Sequence, residues 1–236
     1  MSTSRRAAAA GTSSSRGSGY VIAAAQRRVG IGAQRDASQL FESPPQLPHG
    51  LVYRPGFVTP AEEAWLLGRI EPLPFREARF GEFVARRRVV HFHAGGDVDS
   101  DDPYDDGESF SIGPLPAFLV GLQQRLADAF GIERAALVHT LITEYRPGAP
   151  IGWHRDKAVY GTIFGLSLRG RGTMRFRRID PAADRGRSAM LQLEPRSLYV
   201  IKGPIRWLWQ HSMLPAAELR YSITFRTRAA EEAIAA

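Results

Sequence analysis

The chain has 236 residues, 44% of them hydrophobic, and a formal net charge of +7; this is enough chain for one sizeable domain and too little for two comfortable ones. No apolar run approaches the roughly 18–20 residues of a membrane-spanning helix, which argues against a membrane protein. The absence of cysteine excludes disulfides, thiolate metal sites and cysteine nucleophiles, and fits a reducing compartment.

The charge is concentrated at the start. Residues 1–36 hold six arginines against the single acid Asp36, so only +2 belongs to the remaining 200 residues. The basic balance therefore describes a tail and is by itself no argument for a nucleic-acid partner. Residues 1–45 are rich in Ala, Ser, Gly and Arg and end in Ser43-Pro44-Pro45. Such a segment buries too little apolar surface to offset chain entropy and is expected to be disordered. Its acid-poor, Arg- and Ser-rich composition is also that of an organelle transit peptide; a solvated tail or a misassigned start accounts for it equally well.

Residues 46–230 read as a folded domain. Leu51-Val52-Tyr53 forms a short strand. Thr59 caps a helix beginning at Pro60, with Trp65, Leu66 and Ile70 on its buried side. Phe83 to Phe92 reads as a strand carrying Arg86, Arg87 and Arg88. An acidic loop over 97–108 follows. A second helix spans 116–130, with Phe118, Leu119, Leu122, Leu126 and Phe130 at helical spacing. Eight short strands are then expected at 137–146, 152–156, 162–169, 172–179, 188–193, 197–202, 206–213 and 219–228, with no helix among them. Two helices followed by a run of strands predict an α+β, mainly β domain, a double-stranded β-helix (jelly roll) backed by N-terminal helices.

Three stretches carry chemistry. In Gly152-Trp153-His154-Arg155-Asp156, strand alternation would place His154 and Asp156 on one face. A histidine from a distant strand, His211 in Trp207-Leu208-Trp209-Gln210-His211, would complete two imidazoles and a carboxylate, the facial set of non-heme Fe(II) oxygenases. His-x-Asp alone is a weak signal. Arg220-Tyr221-Ser222-Ile223-Thr224-Phe225-Arg226 alternates strictly between polar and apolar. If its apolar face packs outward, two guanidinium groups point into the barrel, where a dicarboxylate would match them. A solvated polar face is the other reading. His91-Phe92-His93 could share a strand face, but no acidic partner follows at useful spacing.

Taken in order, Leu141-Ile142-Thr143-Glu144-Tyr145-Arg146-Pro147-Gly148, His154-Arg155-Asp156, His211 and the pair Arg220 and Arg226 resemble the AlkB family's Asn-x-Tyr…Pro-Gly…His-x-Asp…His…Arg-x5-Arg pattern. The resemblance covers about residues 50–228, and Arg175-Phe176-Arg177-Arg178 is similar to a strand of bacterial members. It implies an Fe(II)- and 2-oxoglutarate-dependent dioxygenase that uses O2 to oxidise alkyl groups off nucleic-acid bases. It implies iron ligands His154, Asp156 and His211, which are also the catalytic set. For 2-oxoglutarate it implies Arg220 helped by Tyr145, with Arg226, Thr143 and Ser222 nearby. Thr143 stands where the family has asparagine, and Lys157-Ala158-Val159-Tyr160 stands where several relatives have base-contacting acids.

The implied partner is alkylated DNA or RNA. Trp153, Tyr160 and Trp207 are candidate stacking residues for an extruded base, with wall packing as the alternative. Arg86, Arg87 and Arg88 are candidates for phosphates, with a solvated strand edge as the alternative. A protein side-chain hydroxylase or demethylase on the same scaffold, a non-catalytic nucleic-acid-binding module and a cupin-like metal protein are the competing readings. The protein is expected to be cytoplasmic, as bacterial members would be, with organelle targeting by the basic tail left open, and to be a monomer without membrane association.

Overall fold

The computed structural model describes residues 21–22, 47–80, 83–93, 111–180 and 188–230. The expected disordered tail lies outside the described residues except for Val21–Ile22 (β1), which adds a parallel strand to the edge of a sheet. The acidic loop over 97–108 lies outside them as well.

The described strands form two sheets. The smaller consists of β1, Ile151–His154 (β7), Gly172–Arg178 (β9), Ser188–Leu193 (β10) and Trp209–Met213 (β12), in the order β1-β10-β9-β12-β7. The larger contains Leu51–Arg54 (β2), Arg76–Phe80 (β3), Phe83–His93 (β4), Leu137–Tyr145 (β6), Tyr160–Leu168 (β8), Leu198–Ile201 (β11) and Arg220–Arg228 (β13), in the order β2-β11-β8-β13-β6-β4-β3, with Ser111–Pro114 (β5) beside β4. Apart from β1 with β10 and β4 with β5, the pairings are antiparallel.

Two helices, Pro60–Ile70 (α1) and Ala117–Phe130 (α2), cover one face of the larger sheet. Thr59 caps α1 as its sequence suggests: its Oγ1 accepts from Glu62 N at 3.1 Å and its own N donates to Glu62 Oε2 at 2.7 Å. Leu66 and Ile70 are buried, but Trp65 is 46% exposed. At 3.6 residues per turn Trp65 sits about 100° from Leu66. It leaves the buried stripe and takes the Arg69 guanidinium on its ring at 3.9 Å.

Alternation in β13 divides the domain into layers. Tyr221, Ile223 and Phe225 join Leu66, Leu119, Leu126 and Ile142 under the helices. Arg220, Ser222, Thr224 and Arg226 point the other way, and all four are buried. The second core, with Leu51, Ile163, Met174, Phe176, Tyr199 and Trp209, lies between the sheets. This is the jelly-roll arrangement expected from the sequence.

Two boundaries differ from expectation. Residues 204–208 form a short helix (α3), Pro204–Leu208, so that the strand expected from 206 begins only at Trp209. Strand β7 ends at His154, leaving Asp156 in the following loop.

Glu144 braces the larger sheet on its helix side. Arg88 donates Nε and Nη2 to its two carboxylate oxygens at 2.8 and 2.7 Å, Arg146 Nε adds a bond at 3.0 Å, and the Tyr221 hydroxyl lies 3.3 Å away. Burial would raise the Glu144 carboxyl, but Arg88 and then Arg146 more than offset it and hold it below its ordinary value. A lowered folded value stabilises the protein above the unfolded value and is lost as pH falls through the folded one. Glu144→Gln is therefore expected to cost about 2 kcal/mol at pH 7, less than a fully buried pair because Arg88 is half-buried. The gap between variant and wild type should begin to narrow below the ordinary glutamate value of roughly 4.3 and close only below the lowered folded value. Denaturant melts at pH 7 and pH 3 check both.

Candidate active site

A cavity of about 200 Å³ opens between the sheets, and Thr143, Tyr145, His154, Asp156, Tyr160, His211 and Arg226 are all on its wall. The ladder explains part of the convergence. His211 of β12 is directly opposite His154 of β7, and the two rings pack with centroids 4.3 Å apart. His211 Nε2 lies 3.5 Å from Asp156 Oδ2. Among the described residues no three His, Asp or Glu side chains are closed into a metal cage as they stand; these three converge as pairs.

His154 Nδ1 donates to its neighbour's carbonyl, Gly152 O, at 2.9 Å, which leaves the Nε2 lone pair for a metal. That outer hydrogen bond is the usual device that fixes a ligand's tautomer. For His211, burial is the main cause of a value lowered to about 4, with Asp156 opposing and His154 assisting. Its imidazole is neutral at pH 7, as a ligand must be. Burial would raise the Asp156 carboxyl, but Arg226, then His211 and His154, hold it well below the usual carboxylate range.

Asp156 owes its position to two arginines rather than to a strand. Arg226 donates Nε and Nη2 to Asp156 Oδ1 at 2.9 and 2.8 Å, so that Oδ2 is the oxygen on the His211 side. Arg206 of α3, 3% exposed, donates Nε to Gly161 O at 3.0 Å and Nη2 to Lys157 O and Tyr160 O at 2.6 and 2.7 Å, with Asp156 O at 3.3 Å. One guanidinium thus collects the carbonyls of the loop that carries Asp156.

Arg226 is itself held from behind. Its Nη1 is 3.1 Å from His139 Nδ1, and His139 Nε2 is 3.1 Å from His91 Nδ1. Arginine can only donate. His139 therefore accepts at Nδ1, carries its proton on Nε2, and donates that proton to His91. His91, of the His91-Phe92-His93 stretch, is the next member of this relay and also lines the cavity.

Arg220 is 1% exposed. Its Nε donates to Ser167 Oγ at 3.0 Å and its guanidinium lies 4.7 Å from the centre of the Tyr145 ring. Its Nη1 is buried without a hydrogen-bond partner. Gly172 leaves room for it, since a Cβ there would lie 2.9 Å from Arg220 Nε. A buried guanidinium with an unmet donor is costly unless an anion completes it, which is what a carboxylate of 2-oxoglutarate would supply. Ser222 is buried beside it, opposite Ser167 and Thr143 in the ladders, and is not on the cavity wall.

The candidate substrate residues separate. Tyr160 lines the cavity; Trp153 lines the adjoining groove; Trp207 lines neither and lies against Arg206, 4.4 Å from its guanidinium. Arg87 faces the cavity and Arg86 the groove, whereas Arg88 is turned to Glu144 and serves the sheet. Strand alternation turns Arg87 to the face opposite Arg88.

The sequence reading missed Arg206, His139 and Tyr199. Tyr199 stands on the cavity wall directly opposite Gly165, where a Cβ would come within 2.0 Å of its ring. Burial pushes its hydroxyl up to about 12, so it is a neutral donor at working pH. The strict pairing of a glycine with an aromatic across a ladder is visible only once the register is known.

A jelly roll with two imidazoles, a carboxylate and a buried unsatisfied guanidinium between its sheets has the donor set of a non-heme iron oxygenase. The comparisons agree. The 2OG-Fe(II) oxygenase superfamily model matches residues 50–226, and the chain belongs to that superfamily as an AlkB-like dioxygenase using Fe(II), 2-oxoglutarate and O2. A protein of Acanthamoeba polyphaga mimivirus is 32% identical over 72% of this chain and 80% of its own length. The alkylated DNA repair protein ALKBH8 homolog of Arabidopsis thaliana is 29% identical over 73% of this chain, and the tRNA (carboxymethyluridine(34)-5-O)-methyltransferase alkbh8 of Xenopus tropicalis is 28% identical over 72%. The match spans only 52% and 26% of those two longer proteins. In fold, the chain is similar to OsALKBH1, with a TM-score of 0.56 at 14% identity over 77% of this chain and 99% of that one. It is also similar to a Pseudomonas putida prolyl-4-hydroxylase, with a TM-score of 0.50 at 18% identity over 77% and 94%. Among the described residues no helix is long and apolar enough to cross a membrane.

Proposed function

We propose that this enzyme removes alkyl groups from nucleic-acid bases, with His154, Asp156 and His211 holding the iron and Arg220 holding the distal carboxylate of 2-oxoglutarate. The observation that carries the substrate class is the charge of the cavity wall. Arg87, Arg155, Lys157 and Arg226 line it, and among the described residues the one carboxylate on it is Asp156, already held by Arg226. A wall of that sign suits a polyanion and repels an acidic peptide. The printed names of the Arabidopsis and Xenopus relatives, one for alkylated DNA repair and one for a tRNA modification, are in keeping with it.

When bound, Fe(II) with 2-oxoglutarate and O2 supplies the oxidation of the alkyl carbon, which leaves the base as an aldehyde. The protein's part is placement. His154 presents Nε2 because its Nδ1 is bonded to Gly152 O, His211 presents a neutral nitrogen, and Asp156 presents Oδ2 because Arg226 occupies Oδ1. Tyr145 packs against Arg220 and keeps water from its guanidinium. Tyr160 and Tyr199 offer a ring face and a hydroxyl donor to a base that enters the cavity.

The test is incubation of the anaerobically purified protein with Fe(II), 2-oxoglutarate, ascorbate and oxygen, with and without methylated or etheno-modified oligonucleotides. Succinate and base repair are read out, with His154→Ala as control. Repair and succinate that vanish together in the variant are the expected result. Succinate stimulated by peptides and not by oligonucleotides would move the enzyme to protein substrates. No succinate under any condition, with iron bound, would leave a binding module.

A further inference from the structure

The groove beside the cavity shares Arg87, Ile151 and His154 with it, and through Trp153 it adjoins a surface that the oxidation itself does not use. It has a volume of about 450 Å³ and is lined by Arg86, Arg87, Ile151, Trp153 and His154. Trp153 belongs to β7, the edge strand of the smaller sheet, and its side chain reaches across β12 to β9. There its ring meets two guanidinium groups, Arg175 at 4.9 Å and Arg177 at 4.3 Å from the ring centre.

Both arginines are fixed by neutral acceptors. Arg175 Nε donates to Ser212 Oγ at 3.1 Å, and Arg177 Nε donates to Gln210 Oε1 at 2.9 Å. The β9–β12 register sets these pairs side by side, with Ser212 opposite Arg175 and Gln210 opposite Arg177. In a strand, residues two apart lie roughly 6.6 Å apart on one face. The result is a row of two oriented positive charges, Arg177 exposed and Arg175 half-buried, whose full charge no carboxylate among the described residues meets. A structural ion pair would have used Asp or Glu at 210 or 212. Gln and Ser orient the guanidinium and leave its charge for something else.

We infer that Trp153, Arg175 and Arg177 form a docking surface for the phosphodiester strand flanking the reacting nucleotide, continuous through the Arg86–Arg87 groove with the cavity. The inference rests on the nucleic-acid reading of the substrate and adds to it a place for the strand outside the cavity. Phosphates meet the outward Nη groups of the two arginines, and the indole, clamped between β7 and β9, keeps both forks aimed. Sequence is not read here, because backbone contacts position a strand without specifying it.

The test uses the full chain and a fluorescein-labelled, unmodified single-stranded 15-mer, whose affinity is measured over a salt series. For single strands each phosphate contact contributes about 0.7 to the slope of log affinity against log salt. Arg175→Gln with Arg177→Gln is expected to lower that slope by about 1.4, so that from 1 M to 0.1 M salt the variant gains about 25-fold less affinity than the wild type. Co(II) absorption and thermal melting of the variant check that it is folded. In the wild-type protein, arginine modification by phenylglyoxal, mapped by peptide mass, should spare 175 and 177 when the oligonucleotide is present. An unchanged slope, or modification of 175 and 177 unaffected by saturating oligonucleotide, overturns the docking surface while leaving a nucleic-acid substrate intact. Failure of the wild-type protein to bind or repair any oligonucleotide, or binding of an acidic peptide in its place, overturns the substrate reading and the docking surface with it.

Discussion

Arg220→Met is expected to raise the 2-oxoglutarate concentration needed for half-maximal turnover by about 30- to 4000-fold, while raising the melting temperature of the 2-oxoglutarate-free protein. Removing one partner of a buried charge pair costs roughly 2–5 kcal/mol of binding, and each 1.4 kcal/mol is about tenfold in affinity. The opposite sign in the free protein follows from Arg220 Nη1, which is buried without a hydrogen-bond partner. That unmet donor costs stability until an anion arrives, and a methionine, which reaches only as far as the arginine Nε, removes the cost along with the function. Titration calorimetry with 2-oxoglutarate and Co(II) in place of iron, together with melts with and without 2-oxoglutarate, gives both numbers. A variant that binds 2-oxoglutarate like the wild type would place the dicarboxylate elsewhere. One that binds poorly and also melts lower would make Arg220 chiefly a structural residue.

The contrast between Arg220 and Arg206 shows what the chain discloses in one dimension. Arg220 sits in a strictly alternating strand, so its inward direction follows from the period of two and from the apolar Tyr221, Ile223 and Phe225 on the other face. The His154–His211 convergence was legible as an ordered pair of motifs, although only the ladder shows that they are directly opposed. Asp156 is different. Its expected place came from alternation in a strand through 156, yet β7 stops at His154. What places the carboxylate is a set of contacts to Arg206 and Arg226, which lie 50 and 70 residues further along the chain. Nothing local in the stretch around Arg206 distinguishes it from an exposed strand arginine, and the pattern there predicts a strand where the structure has a short helix. The same limit applies to Arg88, whose partner Glu144 is 56 residues away. It also hid Trp207, which belongs to a five-residue helix too short to carry a periodic signal. Periodicity reports direction relative to a layer; it does not report which distant group meets a side chain there.

Arg206 therefore carries the other large expected effect. Arg206→Gln should lower stability by roughly 3–5 kcal/mol, because hydrogen bonds to a charged donor are worth about 1.5–3 kcal/mol each and these do not add fully. For a domain of this size that is a fall of roughly 8–15 °C in Tm. Burial pushes the Arg206 guanidinium down from its ordinary value, with Asp156 opposing. The site tolerates a buried cation because Lys157, Tyr160 and Gly161 turn their carbonyls to it. Without the fork those carbonyls lose their common donor and the loop carrying Asp156 loosens. A displacement of about 1 Å at a reacting centre costs on the order of 100-fold in rate, so turnover in the folded variant should fall at least that far, with weaker Co(II) binding as the independent sign. Arg206→Lys keeps the charge but offers a point donor in place of a planar fork; it should recover part of the stability and little of the Co(II) affinity. If Arg206→Gln melts and binds Co(II) like the wild type, Arg226 alone is sufficient to hold Asp156, and the loop carbonyls gathered around Arg206 are a consequence of the fold and not a condition of the site.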